Sequence, residues 1–264
     1  MMQRFCVLMY HMIAEPASLK EQHFACPPAR FSKHMQALLR NGYQPVSLRH
    51  IAAYLNKGAA LPEKPIVITL DDGYADNYSH AFQVFRQHNI PAAIFLVTNT
   101  IGDVNRWEQD ERAPQRAMLT WPQIQEMQQA GIEFGSHTLN HPRLTRIPET
   151  VARAEIHDAK RILEDGLGEP VDWFAYPYGD YNERILAITR EAGYRLACSV
   201  RAGFNRADVE PLLLRRIDVA GTDNVWQLLQ KIRYGTNEAS RFGPLHYYSR
   251  RLLHKAHALL KPKA

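Results

Sequence analysis

Apolar residues along this chain fall into short continuous runs that take turns with longer amphipathic stretches. The runs lie near residues 4–10, 66–70, 91–97, 132–135, 172–176, 194–200 and 212–219, and each has the length of a buried strand. Between most of them apolar positions recur at helical spacing, near residues 30–41, 48–57, 77–88, 121–130, 148–165, 181–192 and 223–233. Thr120, followed by Pro122 and Gln123, reads as an N-cap with a first-turn proline and a capping-box partner, and Gly131 stands where that helix should stop. Strand and helix in alternation predict an α/β protein with a mainly parallel sheet, whose functional side chains collect at the carboxyl ends of the strands. His11, Asp71, Asp72, His137 and Tyr178 each follow a strand-like run.

The polar residues at these run ends carry the candidate chemistry. Asp71 and Asp72 close the run Ile66–Leu70 and precede Gly73. Successive side chains of an extended segment point to opposite sides, so the two acids should diverge, leaving one for a metal and the other for protons. Asp-Asp-Gly is also ordinary turn composition. A second cluster raises the functional reading: His137 and His141 stand four residues apart just after Ile132–Phe134. One helical turn there would put both rings on one face, and with a strand-end aspartate they would form a two-histidine, one-carboxylate set with open positions. No glycine-rich phosphate loop and no Gly-x-Ser-x-Gly elbow is present, so kinase, dehydrogenase and serine hydrolase readings fall behind.

Three motifs, Thr69-Leu70-Asp71-Asp72-Gly73, Ser136-His137-Thr138-Leu139-Asn140-His141-Pro142 and Tyr176-Pro177-Tyr178-Gly179, stand in an order that resembles the polysaccharide deacetylase family. These are the metal-dependent NodB-like carbohydrate esterases that remove acetyl groups from N-acetylated sugars, and the similarity spans about residues 4–235. The resemblance implies a distorted (β/α) barrel of about seven parallel strands. It implies that Asp72, His137 and His141 hold one divalent metal ion, that Asp71 is the catalytic base, and that a backbone N–H near Tyr178 assists an oxyanion. Zinc is the expected ion for such ligands, and nickel, cobalt or manganese would also suit them.

The chain departs from the family pattern in two places. Many members have an arginine where Ala175 stands, and Arg216, in the run Leu212–Val219, is the candidate replacement. Many also carry a general-acid histidine in a late leucine-rich motif; the poly-N-acetylglucosamine deacetylase branch resembles this chain in opening with a Tyr-His pair, here Tyr10-His11, which makes His11 the expected acid and His246 the alternative. The expected function is removal of N-acetyl groups from an acetylamino sugar in a polysaccharide, oligosaccharide or lipid-linked glycan. The same constellation would also serve an O-acetyl esterase or a non-sugar amidase, and the Ala175 departure leaves room for a catalytically silent glycan-binding protein.

Composition adds the setting. With 264 residues and 45% hydrophobic content, one α/β domain over residues 1–240 accounts for the core. The net charge of +5 is smaller than the six lysines and arginines found from Arg241 onward, where there is no acid. Residues 241–264 therefore read as a basic amphipathic tail, either packed on the barrel or lying on an anionic membrane surface, and no nucleic acid partner is expected. The polar segment from Asn99 to Met118 reads as a loop at the site rim, in which Trp107 either stacks on a sugar or packs on the body. The three cysteines show no paired spacing, no secretory leader is evident and no window is apolar enough to span a membrane, so the expected location is the cytoplasm or the inner face of the membrane.

Overall fold

The structure is a computed structural model that describes residues 3–107 and 115–239. Its strands are β1 (Cys6–Tyr10), β2 (Gln44–Pro45), β3 (Pro65–Leu70), β4 (Ala93–Leu96), β5 (Glu133–Ser136), β6 (Trp173–Ala175), β7 (Leu196–Cys198) and β8 (Ile217–Asp218). The helices are α1 (Pro28–Arg40), α2 (Leu48–Lys57), α3 (Phe82–His88), α4 (Trp121–Gln129), α5 (Glu149–Leu167), α6 (Glu183–Glu191) and α7 (Val225–Tyr234). Seven strands run parallel in the order β7-β6-β5-β4-β3-β1-β8, and the sheet curls into a distorted (β/α) barrel with helices around it. The two-residue β2, absent from the sequence pattern, pairs with the start of β3 while β4 pairs with its end.

Alternation along each strand sorts side chains into two layers. Leu8 and Tyr10, Ile66, Ile68 and Leu70, Ile94 and Leu96, and Phe174 face outward, where α1 and α3 to α7 cover them through residues such as Phe31, Phe85, Ile156 and Leu228. Val7, Val67, Phe95, Trp173, Ala175 and Leu196 face inward and fill the barrel, which α2 closes from its amino-terminal end with Leu48 and Ile51. The inner layer leaves no room for a side chain at 135: a Cβ on Gly135 would lie 2.6 Å from the Phe95 ring and 2.9 Å from Trp173.

The run at residues 212–219 does not form one strand as its pattern predicts. Pro211–Leu213 makes a 3₁₀ turn, Leu214 bridges to Cys198 on β7, and only Ile217–Asp218 pairs with β1. The segment crosses the seam between the two edges of the sheet, touching each in turn, so neither partner holds it long enough for a continuous ladder. Residues 77–88 divide into a π-helical turn over Asn77–Ala81 and then α3. The capping box at Thr120 is present, with its N–H donating to Gln123 Oε1 at 3.0 Å, and Gly131 takes φ 92° just beyond α4.

Cys6, Cys26 and Cys198 are free and buried, and burial pushes each thiol up to about 12, which keeps them inert. Among the described residues no helix is long and apolar enough to cross a membrane. The basic tail, His246 within it, and Glu108, Asp110, Glu111 and Arg112 of the rim segment lie outside the described residues.

Candidate metal centre and active site

The inward phase of the strands continues past their carboxyl ends and delivers the site. Residue 71 follows Val67 and Thr69, residue 11 follows Val7 and Met9, and residue 137 follows Gly135, so Asp71, His11 and His137 all enter the barrel mouth by periodicity. They share a cavity of about 850 Å³ with Asp72, His141, Trp107, Tyr178 and Asp218.

Asp71 is 2% exposed and meets Arg216, which is fully buried, in a two-pronged ion pair. The guanidinium donates to Asp71 Oδ1 at 2.6 Å and to Oδ2 at 2.7 Å, while its Nε–H donates to the Ser199 carbonyl at 3.0 Å. Arg216 enters from the seam segment, whereas Ala175, where the family resemblance leads one to expect arginine, faces the same interior from β6. Burial pushes the Asp71 carboxyl up, but the Arg216 charge, His137 and the two hydrogen bonds outweigh it and hold the group at about 2.

Asp72 leaves its neighbour by a backbone reversal. It takes φ 75° and Gly73 φ 84°, a backbone that favours glycine, and a Cβ at 73 would come within 2.6 Å of Leu96 Cδ2 and push that side chain aside. The divergence expected from strand alternation is thus produced by two left-handed residues. Asp72 Oδ1 then lies 3.5 Å from Nε2 of both His137 and His141.

The histidine segment is not a helical turn. Thr138 and His141 adopt φ of 72° and 60°, and these two reversals aim the rings at a common point. Thr138 Oγ1 accepts from the His141 N–H at 3.0 Å, and Glu155 of α5 accepts the N–H groups of Leu139 and Asn140, both at 2.9 Å, together with the Asn140 side chain at 2.6 Å. Glu155 is a functional residue that the sequence reading missed. Its signal was present: with Ala152, Ile156, Ala159 and Leu163 it stands on the apolar stripe of its helix, where an acid needs a reason. Asp218 is another. It reaches the cavity from the end of β8 and accepts from His23 Nε2 at 2.7 Å.

Whether these donors suit a metal is decided by their hydrogen bonding. His137 Nδ1 donates to the Ala175 carbonyl at 2.7 Å, which leaves Nε2 with a lone pair aimed at Asp72. Asp72 Oδ1 and His141 Nδ1 are buried with no hydrogen-bond partner. Burial holds His137 down at about 4 and His141 well below its ordinary value; burial and then the Asp71 charge push Asp72 well above its own. Three buried acceptors with ligand atoms within 4.8 Å of one another repel unless a cation joins them, so the set fits a divalent ion.

The remaining sequence candidates line the same cavity. Tyr178, at φ 57°, places its ring 4.5 Å from His141, and Trp107 stands 5.0 Å from His141 on another side. Trp107 therefore packs against the site and also faces the cavity. His11 is half-buried against Phe24 at 5.1 Å, and its carbonyl accepts from Asn77 Nδ2 at 2.9 Å, which fixes the exit of β1. Burial lowers its pKa while the charges of Asp71 and Asp218 pull the other way.

Comparison with known proteins places this architecture. The profile of the polysaccharide deacetylase family matches residues 58–197. YxkH of Bacillus subtilis is 30% identical over 214 residues, covering 81% of this chain and 71% of its own. The poly-beta-1,6-N-acetyl-D-glucosamine N-deacetylase of Escherichia coli is 25% identical over 86% of this chain, which spans only 38% of that longer protein. Among solved structures, the Streptococcus pyogenes deacetylase PplD in complex with acetate superposes with a TM-score of 0.76 at 27% identity, over 88% of this chain and 99% of that one. A parallel barrel of this kind is a deacetylase fold. The chain belongs to the polysaccharide deacetylase family.

Proposed function

We propose that this chain hydrolyses the N-acetyl group of an acetylamino sugar in a polysaccharide, oligosaccharide or lipid-linked glycan, with one divalent ion held by Asp72, His137 and His141. The observation that carries the reading is the juxtaposition of three converging buried lone pairs with a carboxylate that a buried arginine keeps ionised, at the floor of an aromatic-walled cavity. Relatives named for poly-N-acetylglucosamine deacetylation support the substrate class.

Asp71 takes the proton of the attacking water, and Arg216 keeps the carboxylate aimed and ionised until it accepts that proton. The ion would polarise the amide carbonyl and lower the pKa of water, which matters because a carboxylate held near 2 is always ionised but only weakly basic. His11, across the cavity, donates a proton to the leaving amine nitrogen; the negative charges of Asp71 and Asp218 favour the protonated ring against the burial that lowers its pKa. The Tyr178 backbone N–H serves the oxyanion, and the Trp107 and Tyr178 rings give the sugar a surface to stack on.

Acetate release from N-acetylglucosamine oligomers and from a lipid-linked acetylamino sugar, compared for wild type and Asp71→Asn, tests the reaction. Elemental analysis of wild type and His137→Ala tests the ion. Wild type should release acetate and carry about one divalent ion per chain, with both lost in the respective variants. Release from O-acetyl substrates alone would replace amide by ester hydrolysis, and unchanged metal content in His137→Ala would remove the ligand set.

A further inference from the structure

The cavity wall carries a charge that hydrolysis of the acetyl group does not use. Arg143, two residues beyond His141, lies over the Tyr178 ring with its guanidinium carbon 4.2 Å from the ring centroid. Tyr178 stands against His141 and His141 against Trp107, so four planar groups form one wall. The left-handed backbone at Tyr178, φ 57°, is costly for an aromatic residue and sets the ring where the guanidinium can lie on it. Stacking occupies a guanidinium's faces and leaves its five N–H donors at the edge. Among the described residues no carboxylate pairs with Arg143 and no acceptor takes its side-chain N–H groups. The acids of the cavity have other partners: Asp71 has Arg216, Glu21 has Arg116, Asp218 has His23, and Asp72 belongs to the metal set.

A permanently charged, planar donor that is oriented by a ring and exposed beside a substrate cavity matches a two-oxygen anion. We propose that Arg143 recognises an anionic group, a carboxylate or a phosphodiester, carried by the glycan next to the acetylamino sugar, and that the site therefore prefers charged glycans over neutral ones. The inference rests on the deacetylase reading above. One ring, that of Tyr178, separates Arg143 from the metal ligand His141, which suits a group of the glycan next to the acetylamino sugar rather than the acetyl group itself.

The test uses the metal-loaded full chain and three acetylated oligosaccharides of equal length: one neutral, one with a carboxylate on the neighbouring sugar, and one joined to its neighbour through a phosphodiester. The readout is the ratio of kcat/KM on each anionic substrate to that on the neutral one, which is internally normalised for each enzyme. Wild type should favour at least one anionic substrate about tenfold, and the winning arm names the group. Arg143→Gln should bring that ratio close to one, Arg143→Lys should keep part of it, and added salt should weaken it. A wild-type ratio near one, or the same ratio in wild type and Arg143→Gln, overturns the assignment while leaving the deacetylase reading intact. No acetate from any of the three overturns both.

Discussion

Arg216→Met tests the electrostatic centre of this site, because it keeps much of the side-chain volume and removes only the charge and its hydrogen bonds. In wild type the Asp71 carboxyl sits at about 2 against an ordinary 3.8. At about 1.4 kcal/mol per unit, that displacement contributes about 2 kcal/mol to stability at neutral pH. Without Arg216 the burial of Asp71 acts unopposed, and removing one partner of a buried pair costs about 3–5 kcal/mol. Part of that loss, about 1 kcal/mol, is independent of pH because the Ser199 carbonyl also loses its donor.

The pH dependence separates the two parts. The depressed wild-type group contributes fully above 3.8 and its contribution is lost only as pH falls through about 2, so wild type is insensitive to this group between pH 4 and 9. In the variant burial raises the carboxyl above its ordinary value, so the folded state takes up a proton as pH falls and the buried charge is relieved. The deficit should be largest at about pH 8 and shrink towards about pH 4.5. Urea unfolding of both proteins in chelator across that range measures it, and Asp71→Asn on top of Arg216→Met should restore about 2 kcal/mol at the high end. A deficit that does not change with pH, together with a double variant less stable than the single, would refute the argument. In the activity assay the same change should move the acid limb of kcat/KM to higher pH.

Glu155→Ala removes the acceptor of three hydrogen bonds that hold the His141 turn; it should cost about 2–4 kcal/mol in unfolding and weaken metal binding about 10–100-fold in a chelator competition, and unchanged metal affinity would make Glu155 a core residue only. His11→Asn should lower kcat by about two to four orders of magnitude while elemental analysis finds its metal content unchanged; a variant as active as wild type would show that another group supplies the proton. His23 is raised from 6.5 by its hydrogen bond to Asp218, so the pair adds stability below 6.5 that is lost as pH rises through the folded value. Thermal unfolding of His23→Gln should accordingly fall short of wild type at about pH 5.5 and converge with it at about pH 9.

Much of this architecture was legible because its determinants are periodic. Each apolar run marks a strand to within a few residues except 212–219, where Leu214 and Ile217 answer to different partners and no periodicity can show a seam. The same alternation carries Asp71, His11 and His137 inward, since each continues the phase of buried residues two and four positions earlier or, for His137, of Gly135. Ion pairs made over long sequence separations, such as Arg216 with Asp71 and Arg116 with Glu21, leave no local trace; Arg216 was reached only through the vacancy at Ala175.

The second member of each pair shows why the rest was hidden. A strand end can offer an inward side chain only at alternate positions, so Asp72 and His141 cannot join Asp71 and His137 by continuing an extended or helical path. Each arrives through positive φ, Asp72 and Gly73 in one turn, Thr138 and His141 in the other. Left-handed backbone at aspartate, threonine and histidine costs energy that local propensity would avoid, and it persists where the surroundings over-determine it. Here the surroundings are specific: the close approach of Leu96 to Gly73, and the buried Glu155 carboxylate beneath Leu139 and Asn140. Convergence of the metal set is therefore a property of the packed barrel mouth, so substitutions at Gly73 or Glu155 should disturb the site as surely as substitutions of the ligands themselves.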